Sequence, residues 1–473
     1  MGRKIMKHLN IRLYIHLILV LLTVSSCREE VEFETRATET NVTLMIRIPG
    51  QKVPSTYGMT ATQENNINEV TVLAYKSNAG TETLVEKIVI PSNQITILSG
   101  EVKIEAAIPT NTYNRIVIVT NANAQVTSLA IGSTLATLMG LQYTSTTGRW
   151  DVSTPAYIPM SGQIVAQTIN GLAITKGVAK IFKDVNLTRM LARIDIQNNA
   201  SANFTLKNVY LYNLNRNGLI IPGSGYQSLP AQPTLPGSVL KINPNPIVYN
   251  FTSLNVANQL TREIYTFEAA PATTGSITTS PRIILQGTYN GVDYFYPVDF
   301  TYDGSGGTTR GSYMPIVRNH KYIFTIAEVK NVGYTTAAAA LAGTINYTNI
   351  VVTLLAIDDR FLDVFYNKDN LLAVTQVEYL FQKSEYSVLT ETNLLSILTD
   401  VPAGWTATYT GSDGVTLVTW LKLTDDTGNP KNSGASGIKA NTAINLTATA
   451  ATRTGYIIIK AGQLEARVKV TQQ

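Results

Sequence analysis

Asn41-Val42-Thr43-Leu44-Met45-Ile46-Arg47-Ile48 is the stretch whose reading decides the fold class. Side chains alternate across a strand with period two, so Val42, Leu44, Ile46 and Ile48 share one face, and Thr43, Met45 and Arg47 share the other. That is a half-buried strand, stopped by Pro49-Gly50. Working outward, the same signal recurs at residues 70–75 and 102–106. At 116–120 it becomes a continuous apolar run, as expected of a strand covered on both faces. Only residues 126–141, with Leu129, Leu135 and Leu138, carry a helical spacing. A second block of strands runs through 190–196 and 206–212, followed by a Pro- and Gly-rich surface loop at 221–246. A third block follows residues 350–355 and closes with a hairpin, 455–460 and 466–470, turning at Ala461-Gly462.

Composition agrees with this pattern. At ~150 residues per domain, 473 residues suggest about three domains, and 44% hydrophobic content is ample for their cores. Only 15% of residues are charged, a composition that disfavours long exposed helices. The expectation is an all-β protein built of sandwiches. The net charge of +5 falls to +1 once the basic leader residues Arg3, Lys4, Lys7 and Arg12 are set aside, which removes the electrostatic footprint of a nucleic-acid binder. His8 and His16 are also in the leader, so His320 is the only imidazole left, and Cys27 is the sole cysteine. Thiolate chemistry and multi-histidine zinc sites are excluded, and no metal or cofactor is expected.

The basic stretch 3–12 precedes an apolar run, Leu17-Ile18-Leu19-Val20-Leu21-Leu22, too short to be a stable membrane span. Residues 1–26 therefore read as a secretory signal peptide. Val24-Ser25-Ser26-Cys27 resembles the bacterial lipobox, in which cleavage before the cysteine leaves Cys27 to carry acyl chains and anchor the protein to the outer membrane. Residues 27–40 form an acidic segment with four glutamates between Arg28 and Glu34. It looks like an export signal of surface lipoproteins in the Bacteroidetes, and a solvated linker would look the same.

Several motifs together resemble the fimbrillins, the fimbrial subunits of Bacteroidales, across about residues 27–370. They are Glu69-Val70-Thr71-Val72-Leu73-Ala74-Tyr75, Ile158-Pro159-Met160-Ser161-Gly162, Leu187-Thr188-Arg189-Met190-Leu191-Ala192-Arg193-Ile194 and Arg318-Asn319-His320-Lys321-Tyr322, the last followed by Gly333-Tyr334. The resemblance implies two transthyretin-like β-sandwiches, at 41–184 and 185–355. It also implies assembly by strand exchange: a protease removes the first strand, and a donor strand from the next subunit fills the groove. Residues 41–50 match the removable strand, with Val42, Leu44, Ile46 and Ile48 as its groove-filling face. The family's cut commonly follows an arginine in the loop. Here the loop at 51–64 holds Lys52 and no arginine, while Arg47 lies in the strand and Arg36 before it.

Beyond a linker at 356–370, residues 371–473 look like an immunoglobulin-like domain of the BACON type, on Val401-Pro402-Ala403-Gly404-Trp405, Trp420-Leu421 and the terminal hairpin. Such a domain engages its own last strand, which points to a tip or accessory fimbrial subunit at the cell surface. Its expected partners are other fimbrial subunits and a host or bacterial surface glycan or protein. Trp405 and Trp420 are the candidate ligand contacts if sugars stack there. The alternative function is a surface glycan-binding lipoprotein that does not polymerise, and an enzyme is not expected. His320 lacks a catalytic partner, Asp358-Asp359-Arg360 and Asp425-Asp426 lack the spacing of a calcium loop, and Asp303-Gly304-Ser305-Gly306-Gly307 lacks the lysine and helix of a phosphate loop.

Overall fold

The computed structural model describes residues 39–47, 64–97, 101–152, 157–166, 171–223, 232–242, 245–254, 257–273, 277–302, 311–358, 363–366, 370–387, 389, 393–399, 401–437 and 439–473. It is all-β: its six larger sheets form three two-sheet sandwiches, and two small two-stranded sheets accompany them.

In the first sandwich one sheet runs Lys180–Asn186, Glu39–Arg47, Glu101–Pro109, Ile95–Ile97, and the facing sheet runs Thr188–Arg189, Met160–Val165, Arg115–Thr120, Val70–Asn78, Thr81–Ile90. Arg115–Thr120 is buried on both faces because it lies between two clusters. Ile116 and Ile118 join the sandwich core, while Val117 and Val119 join a second cluster with Trp150 and the short helices Asn123–Val126 and Leu135–Met139. Those helices replace the single helix expected at 126–141. The second cluster also takes in Ile220, Ile221, Tyr265 and Phe267, so it welds the first sandwich to the next.

The second sandwich pairs a sheet of Gln259–Thr266, Ala192–Asn198, His320–Val329, Ile350–Asp358 with one of Ile247–Asn250, Phe204–Tyr212, Arg282–Tyr289, Val292–Val298. Phe300 sits in its core, meeting Tyr322 and Phe324 edge-on at 5.5 and 5.2 Å. The third has sheets Asp363–Tyr366, Leu371–Val374, Leu394–Thr399, Ala440–Leu446, Leu421–Thr424 and Glu378–Phe381, Leu464–Gln472, Arg453–Ala461, Trp405–Gly411, Ser433–Gly434.

The boundaries differ from those expected. The first sandwich extends from Glu39 to Arg189 instead of 41–184, because Glu39 pairs with Pro109 and Arg189 with Met160. Ile350–Asp358 stays paired to His320–Val329 past residue 355, and Asp363–Tyr366 pairs with Leu371–Val374. In the stretch expected as a linker, 356–370, every described residue except Asn370 is therefore strand. Backbone pairing to distant strands, invisible in local pattern, moves these limits. Of the expected loop at 221–246, Ile221 is buried, and residues 224–231 and 243–244 lie outside the described residues.

Candidate functional site: the groove held by the first strand

Glu39–Arg47 lies inside its sheet. It pairs antiparallel with Glu101–Pro109 over its whole length and parallel with Lys180–Asn186, with a register shift between Leu44 and Ile46. Val42, Leu44 and Ile46 are 1%, 0% and 0% exposed and share one core with Val102, Ile104 and Val185 of the neighbouring strands and Ile116 and Ile118 of the facing sheet. Thr40 ties the strand's beginning to the Thr175 carbonyl at 3.2 Å. Without this strand the sheet would hold a slot one strand wide, walled by the unpaired edges of 101–109 and 180–186 and floored by apolar side chains. Unpaired backbone and bare core both favour refilling by another strand.

Ile48, the fourth residue of the expected face, lies outside the described residues, as do Cys27, Arg36 and Lys52. Arg47 pairs through its backbone with both Glu101 and Asn186. Cleavage after Arg47 thus requires the strand's end to leave two ladders, since proteases cut exposed, unpaired chain.

Trp405 must be withdrawn as a ligand contact. It is 1% exposed in the core of the third sandwich, packed so closely on Gly434 that a Cβ there would collide with its indole. The cause is strand position: Trp405 opens Trp405–Gly411 on the inward face with Ala407. Trp420 is half-buried, and the Arg453 guanidinium lies 4.1 Å from its ring centroid, covering one face. The two tryptophans do not form a common platform. His320 is half-buried, with Nδ1 2.8 Å from the Arg318 carbonyl and its ring stacked on Tyr322. Asp425 accepts from the backbone and side chain of Thr427 and the backbone of Asn429, a turn-closing role. Among the described residues no cluster of metal-ligating side chains occurs.

A feature that sequence reasoning missed lies at Glu64, just before the strand Val70–Asn78. Glu64 is 2% exposed and sits at the junction of the first two sandwiches. Arg193 Nη1 donates to both its oxygens at 3.0 and 2.9 Å, and Arg262 Nε donates to Oε2 at 2.9 Å. Arg193 also forks onto Asp195 Oδ2, and Asp195 Oδ1 accepts from the Arg262 backbone at 3.0 Å. Arg262 holds a φ of 57°, rare for a buried arginine, within a bulge of its strand pair. Burial pushes the Glu64 pKa up. Arg193 foremost, then Arg189, Lys321 and Arg262, outweigh it and hold the carboxyl well below the usual range. The available signal was weak: Arg193 and Asp195 stand on one face of the alternating strand Ala192–Asn198, a pair of opposite charges with no mark in the sequence of their burial.

Residues 41–190 match the family model described as the major fimbrial subunit protein, FimA. Over those residues the chain is similar to the fimbrillins. The match spans the first sandwich and stops at residue 190, whereas the resemblance in the sequence is expected across about 27–370. Among solved structures, the chain is similar to the tip fimbrial protein Mfa3 of Porphyromonas gingivalis, at 16% identity and TM-score 0.42, covering 67% of this chain and 99% of that one. It is also similar to a candidate cell adhesion protein from Bacteroides ovatus, at 11% identity and TM-score 0.32, covering 68% and 98%. A xyloglucanase from the same species aligns at 20% identity and TM-score 0.16 over 22% of this chain and 18% of that one. No curated protein matches the chain.

Proposed function

We propose that the protein is a non-enzymatic structural subunit of a cell-surface fimbrium, at its tip or in an accessory position, that accepts a donor strand and gives none. The observation that carries the reading is the placement of Glu39–Arg47 inside a sheet, bonded on both sides to strands remote in sequence while filling the core with Val42, Leu44 and Ile46. Its loss would create a groove suited to a donor from a neighbouring subunit.

The inability to donate is supported at the other end. Leu464–Gln472 is bonded within its own sandwich to Arg453–Ala461 and Glu378–Phe381. The last strand of the second sandwich, Ile350–Asp358, is engaged too. It pairs with His320–Val329, Leu355 packs against the cluster of Leu371 and Ala373, and Asp358 lies 3.6 Å from Lys439. In this reading the precursor is lipidated on Cys27 after loss of residues 1–26 and displayed on the outer membrane. A Cys27→Ser variant is expected to leave the membrane fraction. Firm retention through carbonate washing would sink the anchor.

Assembly is tested by mixing labelled protein with a cleaved stalk subunit. Label at one end of each fibre is expected, with subunit ladders that survive unboiled detergent. Label at intervals along the shaft would make the protein a stalk subunit, and a strictly monomeric product would favour the non-polymerising alternative.

A further inference from the structure

Residues 64–69 are fastened quite differently from the strand before them. Glu64 is held by Arg193 and Arg262 of the second sandwich, and Arg189 Nη2 donates to Asn65 Oδ1. Asn121, itself at a φ of 56°, donates to the Asn66 carbonyl at 2.8 Å and accepts from the Asn68 backbone at 2.9 Å. Its own N–H bonds the Glu69 carbonyl at 3.0 Å, and the Glu69 side chain accepts from Asn123 N at 2.7 Å. Ile67 is buried in the core between these ties. Among its described contacts Glu39–Arg47, by contrast, has two ladders, one apolar face and the Thr40 hydroxyl's bond to the Thr175 carbonyl, with no buried ion pair.

The two stretches lie at the same end of the fold, because Arg47 pairs with Asn186, three residues before Arg189. A charge buried on two arginines resists withdrawal far more than an apolar strand does, since pulling it out strands several desolvated cations. The strained Arg262 is held in place by the same contacts.

We propose that the Glu64 cluster is a stop for strand release: it fixes the chain from residue 64 onward to both sandwiches, so that only the segment before it can leave. Glu64 is a positioning residue here. It contacts no donor strand. It decides how much of the first sandwich is lost and keeps the groove's walls attached to the second sandwich when the slot is empty. The inference rests on the strand-exchange reading for its purpose, although the fastening itself can be measured on the isolated chain.

The test is hydrogen exchange with mass spectrometry on the full chain, comparing the parent with Glu64→Gln and with the milder Arg193→Lys, which keeps the charge and loses the fork. Amides 65–69 are expected to exchange at least tenfold faster in both variants, while amides 101–109 keep the parent's protection. Exchange at 65–69 within twofold of the parent in either folded variant would overturn the stop. So would an equal loss at 101–109, because the cluster would then be general ballast for the domain. This readout needs no assembly, so a failure of the fibre-capping experiment leaves its outcome intact and distinguishable.

Discussion

The first strand, Glu39–Arg47, and the last, Leu464–Gln472, each sit inside a sheet between one parallel and one antiparallel neighbour. Both bury an alternating face: Val42, Leu44 and Ile46 in one, Ala466, Val468 and Val470 in the other. They differ in connectivity. The last strand's antiparallel partner, Arg453–Ala461, is joined to it by a tight turn in which Ala461 pairs with Leu464 and Gly462 takes a φ of 57°. The first strand's partners lie at 101–109 and 180–186, both remote from it in sequence. Whether a central strand can be exchanged depends less on its hydrogen bonds than on whether its neighbours are covalently local, since a local hairpin re-forms with little loop-closure cost.

The largest effect that bears on this contrast is loss of either strand outright. Deleting residues 464–473 is expected to abolish the third sandwich, with strong hydrophobic-dye binding and no second unfolding transition. Excising residues 39–47 should leave the first sandwich's remaining strands assembled around a sticky slot. Similar collapse in both cases, measured by circular dichroism and limited proteolysis, would break the comparison.

Next in size is Leu44→Ala, which removes a fully buried side chain and should cost about 3–5 kcal/mol in chemical denaturation. A peptide of residues 39–48 should then restore the melting temperature of strand-excised protein in a concentration-dependent way. An unmoved midpoint would mean the slot closes on itself.

Gly404→Ala sharpens the independence of the third sandwich. Gly404 has a φ of 73°, and a Cβ there would meet the Gly434 carbonyl. A loss of about 1–3 kcal/mol is expected, confined to the third sandwich's transition. A matching fall in the first sandwich would show that the ends of the chain are coupled.

The smallest expected effect is that of Lys469→Ala, which removes an exposed ion pair with Glu378 from the outer face of the last strand. No resolvable change in melting is expected, because ladder and core hold that strand. A clear drop would assign the ion pair a weight that exposed pairs seldom carry.

The buried face of the first strand was legible because period two is written in consecutive residues, and Val42, Leu44 and Ile46 all lie where it put them. The terminal hairpin was legible for the same reason, its turn being local. The parallel partner Lys180–Asn186 was not, since nothing near residue 42 encodes a register with residue 180. Trp405 and Trp420 looked alike in sequence. The distinction between core and half-buried comes from Gly434 and Arg453, each brought in from another strand. Glu64 was hidden among polar residues of an apparent loop, and its meaning lies in arginines at 193 and 262. Cys27, Arg36, Lys52 and Ile48 fall outside the described residues, so their roles rest on the amino-acid sequence.

The mixed pairing of the first strand has one more consequence. A slot with a parallel wall on one side and an antiparallel wall on the other is not symmetric under reversal of the inserted chain, because the two ladders space their bonds differently. The register shift at Leu44/Ile46 adds a second mark of direction. An incoming segment that reproduces the lost ladders must therefore run the same way as the strand it replaces. In the proposed assembly this turns a local hydrogen-bonding pattern into a compass: every junction points the same way along the filament, so the structure has a head and a tail before any receptor is met.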